Sequence, residues 1–201
     1  MRVLHVITAL GVGGAEGMLL KLLGAQALSG VEQQVVAMLP GGAMAGPLRA
    51  TGAQVEELDF LGGLPVIGGA TRLAKLARHC RPDIVQGWMY HGNLGAMLAR
   101  AVQPRRVPLV WGVRQSLASL QGENAWARAA IRANRLLSGA PDCIVFNSRT
   151  SIEQHRSFGF HSVSTRYVPN GFDGGRVQPE LLQDALPATG PQVLAPRHTV
   201  F

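Results

Sequence analysis

No uncharged run in this sequence reaches the ~18–20 residues that a membrane-spanning helix needs. The apolar N-terminal stretch at residues 3–15 is interrupted by His5 and by glycines, so it reads as a first strand and its loop rather than a signal peptide. Only two cysteines occur, Cys80 and Cys143, far apart and in neither a metal nor a redox spacing. Both sit in apolar company and are expected to be reduced and buried, which suits a cytoplasmic setting. Charged residues make up 15% against 47% hydrophobic, which excludes a disordered chain over the first ~170 residues. A length of 201 residues is ample for one cored domain and marginal for two.

Glycine and positive charge, by contrast, are plentiful. Many of the 25 glycines fall at junctions between apolar runs, where they supply turns and close backbone approach. The net charge of +7 draws the chain to anions, whether nucleic acid, anionic lipid or a phosphorylated ligand. The arginines are spread over several helices and no nucleic-acid motif is present, so nucleic acid is not an expected partner.

Hydrophobic periodicity predicts strands at residues 2–8, 33–39, 54–58, 84–87, 107–113, 143–146 and 166–169. Between them it predicts helices. One covers residues 16–28, with Met18, Leu19, Leu22 and Leu23 on one side, and a loop is expected at residues 40–47. Further stripes are Leu73, Leu76, Ala77 and Cys80, then Leu94, Met97, Leu98 and Ala101, then Trp126, Ala129, Ala130, Ala133 and Leu137. A short helix closes the series at residues 148–158. Near-continuous apolar strands alternating with amphipathic helices predict a Rossmann-like α/β fold, a mostly parallel sheet with helices on both faces. Right-handed crossovers then bring every strand's C-terminal end to one edge, where ligands bind near the topological switch point.

Three clusters fall at that edge. Gly11, Gly13, Gly14 and Glu16 lie between the first strand and helix, where glycines let a phosphate approach the free N–H groups of a helix N-terminus. Position 16, where a dinucleotide fingerprint has its third glycine, is Glu16, and no acidic residue closes the second strand. A tight turn with Glu16 in the first helical turn explains the same residues. After the fourth strand come Trp88, Tyr90, His91 and Asn93; aromatic faces pack on sugar rings, while the alternative makes the aromatics a core rim and Asn93 a helix cap. After the fifth strand, Arg114 projects toward the same cleft, either for an anion or as a surface residue. His5, inside a strand, reads as structural. No residue set reads as a metal site.

The series GVGGAE, RPDIVQGWMYHGN, PLVWGVRQS, PDCIVFNS and YVPNGFD resembles the N-terminal domain of glycosyltransferase family 4, whose members are retaining enzymes of the GT-B fold. The resemblance runs over residues 1–173. It implies the acceptor-side half of two Rossmann-like domains, the glycine loop facing the donor diphosphate or transferred sugar, and a nucleoside diphosphate sugar as co-substrate with no bound cofactor. It also implies that Asn147, Ser148, Asn170 and Gly171 belong with Trp88, Tyr90, His91, Asn93, Arg114 and Gln115 on the acceptor or sugar cleft. Many relatives carry histidine where Gln115 stands; glutamine donates a hydrogen bond but cannot titrate.

The family's second domain carries a basic pair and an E-x7-E motif. After Asn170 the sequence holds one glutamate, Glu180, and two arginines, Arg176 and Arg197. Residues 174–201 are therefore expected to be a linker, a disordered tail or non-native sequence, and the chain to be inactive alone without about 150 further residues. A stand-alone binding domain that pairs with a partner subunit, and an NAD(P)-binding protein, are the alternatives. Arg128, Arg132 and Arg135 lie at i, i+4 and i+7 beside an apolar stripe; they form either a solvated face or a contact with anionic lipid at the inner membrane face, suiting a lipid-linked acceptor.

Overall fold

The computed structural model describes residues 1–25, 29–60 and 64–171. Seven strands form one sheet: β1 (Arg2–Ile7), β2 (Glu32–Ala37), β3 (Gln54–Glu57), β4 (Ile84–Trp88), β5 (Leu109–Val113), β6 (Cys143–Phe146) and β7 (Thr165–Tyr167). Their order is β3-β2-β1-β4-β5-β6-β7, and every pairing is parallel. The helices are α1 (Gly14–Leu23), α2 (Ala45–Ala50), α3 (Leu64–Cys80), α4 (Met89–Ala101), α5 (Ala125–Leu137) and α6 (Arg149–Phe158). Met1–Asn170 is one compact unit; Gly171–Phe201 forms a second, of which only Gly171 is among the described residues. The expected tail at 174–201 and the end of the YVPNGFD motif thus lie outside them.

Alternation along the strands splits the core in two. Leu4 and Val6 of β1 point to one face, where they join Val85, Trp111, Val113 and Ile144 beneath α3, α4 and α5. Ile7 points to the other, with Val35, Ala37 and Trp88 beneath Leu19 and Leu23 of α1 and Leu48 of α2. This is the two-sided burial that near-continuous apolar strands require.

Several expectations need correction. The loop expected at residues 40–47 runs into α2, six residues long and too short to carry a legible period. Part of the predicted first helix, residues 26–28, lies outside the described residues. In α4 the deeply buried positions are Tyr90, Gly92, Asn93, Gly95, Ala96 and Ala99, while Leu94, Met97 and Leu98 are only half-buried. Small residues win there because α4 lies tightly over β1: a side chain at Gly92 would bring a Cβ within 2.5 Å of the Val6 carbonyl oxygen. In α5 the buried positions are Ala130, Ile131 and Asn134, whereas Trp126 and Leu137 of the expected stripe are exposed. Cys80 and Cys143 are free thiols but only half-buried.

Candidate functional site

Because all strands are parallel, their C-terminal ends share one edge. The chain leaves β1 toward β2 and leaves β4 toward β5, in opposite directions, so the crevice between β1 and β4 is the switch point. Ile7 and Trp88 are register partners across it. The glycine loop follows one of these strands and the Trp88 segment the other.

Residues 11–14 of the loop are all exposed, and α1 begins at Gly14. Its N-cap, Gly13, is extended and has no side chain to satisfy the first N–H groups. Neither Gly11 nor Gly14 has a positive φ, and a Cβ on either would meet nothing within 4 Å. Backbone strain and internal packing therefore leave these two glycines unexplained, and their missing side chains keep the loop open toward solvent. At Gly13 a Cβ would meet Glu16 Oε2 at 2.5 Å: the Glu16 carboxylate folds back over the helix start.

Three of the residues expected to line a sugar cleft lie inside the protein. Trp88 is fully buried, with its indole N–H donating to His5 Nδ1 at 3.1 Å. Since that nitrogen accepts, His5 carries its proton on Nε2 and donates to Gln33 Oε1 at 2.9 Å. Burial pushes the His5 pKa down to about 4. The hydroxyl of Tyr90 meets His155 Nε2 at 2.8 Å, while His155 Nδ1 donates to the Ser151 carbonyl at 2.7 Å. Burial raises the Tyr90 pKa and lowers that of His155. Asn93 donates to Asn134 Oδ1 at 3.0 Å, and Asn134 donates to the Tyr90 and Ala130 carbonyls, each at 2.8 Å. Asn93 is thus neither a cap nor a cleft residue; it ties α4 to α5. The stacking role expected of Trp88 and Tyr90 gives way to core packing, because each polar atom finds its partner inward.

Arg114 is what remains at the rim. Its guanidinium lies over the Trp88 ring, 5.0 Å from the centroid, and its Nη1 donates to Asn170 Oδ1 at 2.7 Å. Burial lowers its pKa below the ordinary value. The Arg114 backbone N–H points at Met89 Sδ at 3.4 Å, and Met89 holds a left-handed φ of 61° where β4 turns into α4. Asn147 Nδ2 approaches the Arg114 carbonyl at 3.5 Å. Gln115 donates to Glu123 Oε1 at 2.8 Å, and its carbonyl accepts from the Ser151 hydroxyl at 2.8 Å. Ser148 caps α6, accepting from the Ser151 N–H at 3.0 Å. His91 is half-buried beside the Trp126 backbone, with its pKa lowered by burial.

The fold therefore brings Trp88, Arg114, Asn147 and Asn170 together and holds Tyr90, Asn93 and Ser148 to structural duty. Sequence reasoning missed Glu123, the partner of Gln115, and His155, the partner of Tyr90; nothing in their local sequence marks either. His5, read as structural, turns out to anchor the tryptophan under Arg114.

The Anabaena protein Alr3699/HepE, whose crystal structure is in complex with UDP and glucose, superposes with a TM-score of 0.69 at 19% identity, over 86% of this chain and 45% of that one. Sucrose-phosphate synthase from Thermosynechococcus elongatus gives 0.63 at 13% identity, over 95% and 54%. UDP-N-acetylglucosamine 2-epimerase from Rickettsia bellii gives 0.53 at 12%, over 83% and 44%. The chain spans about half the length of these solved proteins. Such identities show the fold alone, the Rossmann-like half of a GT-B architecture, and an epimerase shares it with transferases. No curated protein sequence matches the chain. A family model does, over residues 13–171, from the glycine loop to the residue after Asn170. On that match the chain belongs to the glycosyl transferase 4-like domain family.

Proposed function

We propose that this chain is the acceptor-side half of a retaining glycosyltransferase, which transfers a sugar from a nucleoside diphosphate sugar to an acceptor. The observation that carries the reading is the pair of glycines, Gly11 and Gly14, whose open backbone has no internal cause and lies beside the switch point. A diphosphate approaching there meets uncapped N–H groups and the positive end of α1. On the other side of the crevice, Arg114 offers a charge held flat by Trp88 and oriented by Asn170. Asn147 and Asn170 add neutral hydrogen-bonding groups suited to hydroxyls.

Transfer with retention demands that the departing diphosphate and an oxocarbenium-like centre both be stabilised by fixed charge. This half supplies dipoles, one arginine and the acceptor surface. Gln115 holds Glu123 and cannot move a proton. These 201 residues by themselves are accordingly expected to bind ligand without turnover.

The test is an amide chemical-shift titration of the chain with UDP-glucose, UDP-galactose, inorganic pyrophosphate and NAD. Shifts at residues 11–16 and at Arg114 with the first three, and none with NAD, support the reading. A response to NAD alone would move the chain to the dinucleotide-binding alternative. Turnover of a nucleotide sugar by the chain alone would refute the expected inactivity.

A further inference from the structure

α5 presents two kinds of residue to solvent. At 100° per residue, its buried arc holds Ala130, Ile131 and Asn134. Outside that arc lie Trp126, 74% exposed, at its edge, and Leu136, 79% exposed, opposite it, with Ala129 between the two on the helix wheel. Beside this apolar strip run Arg128, Arg132 and Arg135, the last over the Phe158 ring at 5.8 Å. A core-facing stripe would hide its tryptophan; this one turns it outward.

The charge here is uncompensated. α5 contains no carboxylate. From Ile84 to Gly171 there are ten arginines but three carboxylates, Glu123, Asp142 and Glu153. Asp142 is held by Arg100 and Arg106, and Glu123 accepts from Gln115. Among the described residues no ion pair engages Arg128, Arg132 or Arg135.

We infer that the outward face of α5 docks on an anionic lipid surface, with Trp126 and Leu136 entering the headgroup boundary and the three arginines contacting lipid phosphates. Charge complementarity selects this occupant, and the tryptophan adds the amphipathic ring that favours a membrane interface. No described helix is long and apolar enough to cross a membrane, so the contact is a surface one. The inference rests on α5 alone and stands whether or not the sugar-transfer reading does.

The molecule carries its own reporter. Of its three tryptophans, Trp88 and Trp111 are fully buried, leaving Trp126 open to lipid. The whole chain is mixed with phosphatidylcholine vesicles, with or without one-third phosphatidylglycerol, and assayed by co-sedimentation and by tryptophan quenching with brominated lipid. Binding only to the anionic vesicles is expected, with a blue shift and quenching, weakened by salt. R128Q/R132Q/R135Q should lower the affinity by about tenfold or more, and W126F should abolish the quenching. None of these four residues belongs to either core cluster, so both changes leave the core intact. Equal binding to neutral vesicles, binding that survives the triple substitution, or binding without quenching overturns the proposal. So does lipid-independent self-association, seen by sedimentation velocity, that W126A removes; that outcome assigns the face to a second copy.

Discussion

Arg114 lies 5.0 Å above the ring of Trp88, and the same indole donates through its N–H to His5, 3.1 Å away on the neighbouring strand. One buried tryptophan thus couples a rim cation to the sheet interior. A guanidinium stacks on the ring and reaches Asn170 at once, a combination that a lysine ammonium cannot reproduce. Arg114→Lys is expected to weaken nucleotide-sugar binding by about tenfold, measured by calorimetry, while leaving the melting temperature nearly unchanged. Unaltered affinity would remove Arg114 from the site.

Folding takes His5 from an ordinary pKa of 6.5 to about 4, because burial penalises its charged form. Between those values the unfolded chain binds a proton that the folded chain does not. Stability is therefore full above pH 6.5 and is lost progressively as the pH falls to about 4, by roughly 3 kcal/mol. His91 and His155, also lowered by burial, act in the same sense. Urea unfolding at a series of pH values should show this slope, shallower by up to one proton in His5→Asn. An identical slope in the variant would mean that His5 titrates normally.

Across the α4–α5 junction Asn134 Oδ1 accepts from the Asn93 amide N–H, and Asn93 Oδ1 is buried with no hydrogen-bond partner among the described residues. Asn134→Leu strands a buried amide and should cost about 2–3 kcal/mol. The N93L/N134L double variant should cost less than the two single substitutions summed, because no polar group is then left alone. Strict additivity in a double-mutant cycle would show that the pair is not coupled.

Gly14 and Gly92 are glycines for opposite reasons. A methyl group at Gly14 meets nothing, so Gly14→Ala should stabilise α1 by about 0.5–1 kcal/mol, yet weaken binding at the loop. Gly92→Ala drives a methyl into the Val6 carbonyl and should destabilise by about 1–3 kcal/mol. Thermal melts combined with ligand titration separate the two. A destabilised Gly14→Ala would show that the loop is packed after all.

Glu16 folds over the start of α1, where the helix dipole favours negative charge. On the proposed function, a diphosphate would approach the same helix end. Removing its charge in Glu16→Gln should raise pyrophosphate affinity about two- to fivefold, from the ~0.3–1 kcal/mol such a contact is worth. A loss of affinity would instead make Glu16 part of the binding surface.

Much of this was legible in the residues. Apolar strands alternating with amphipathic helices predicted a mostly parallel sheet covered on both faces, and Val35 and Val36 are indeed buried in the two different core clusters. The same order placed the glycine loop, Trp88 and Arg114 at one edge. What the sequence could not decide was direction. In α5, periodicity marks Trp126, Ala129, Ala133 and Leu137 as an apolar stripe as readily as it marks any other, yet Asn134 goes in and Trp126 goes out. Burial of a polar amide depends on partners that belong to another helix, here Asn93 and the Tyr90 carbonyl. Trp88 goes inward for the same kind of reason, because His5 on the adjacent strand accepts its N–H. Apart from the six-residue α2, one-dimensional pattern determines which elements form and in what order. Only the packed structure supplies the hydrogen-bond partners that determine which side of each element meets water.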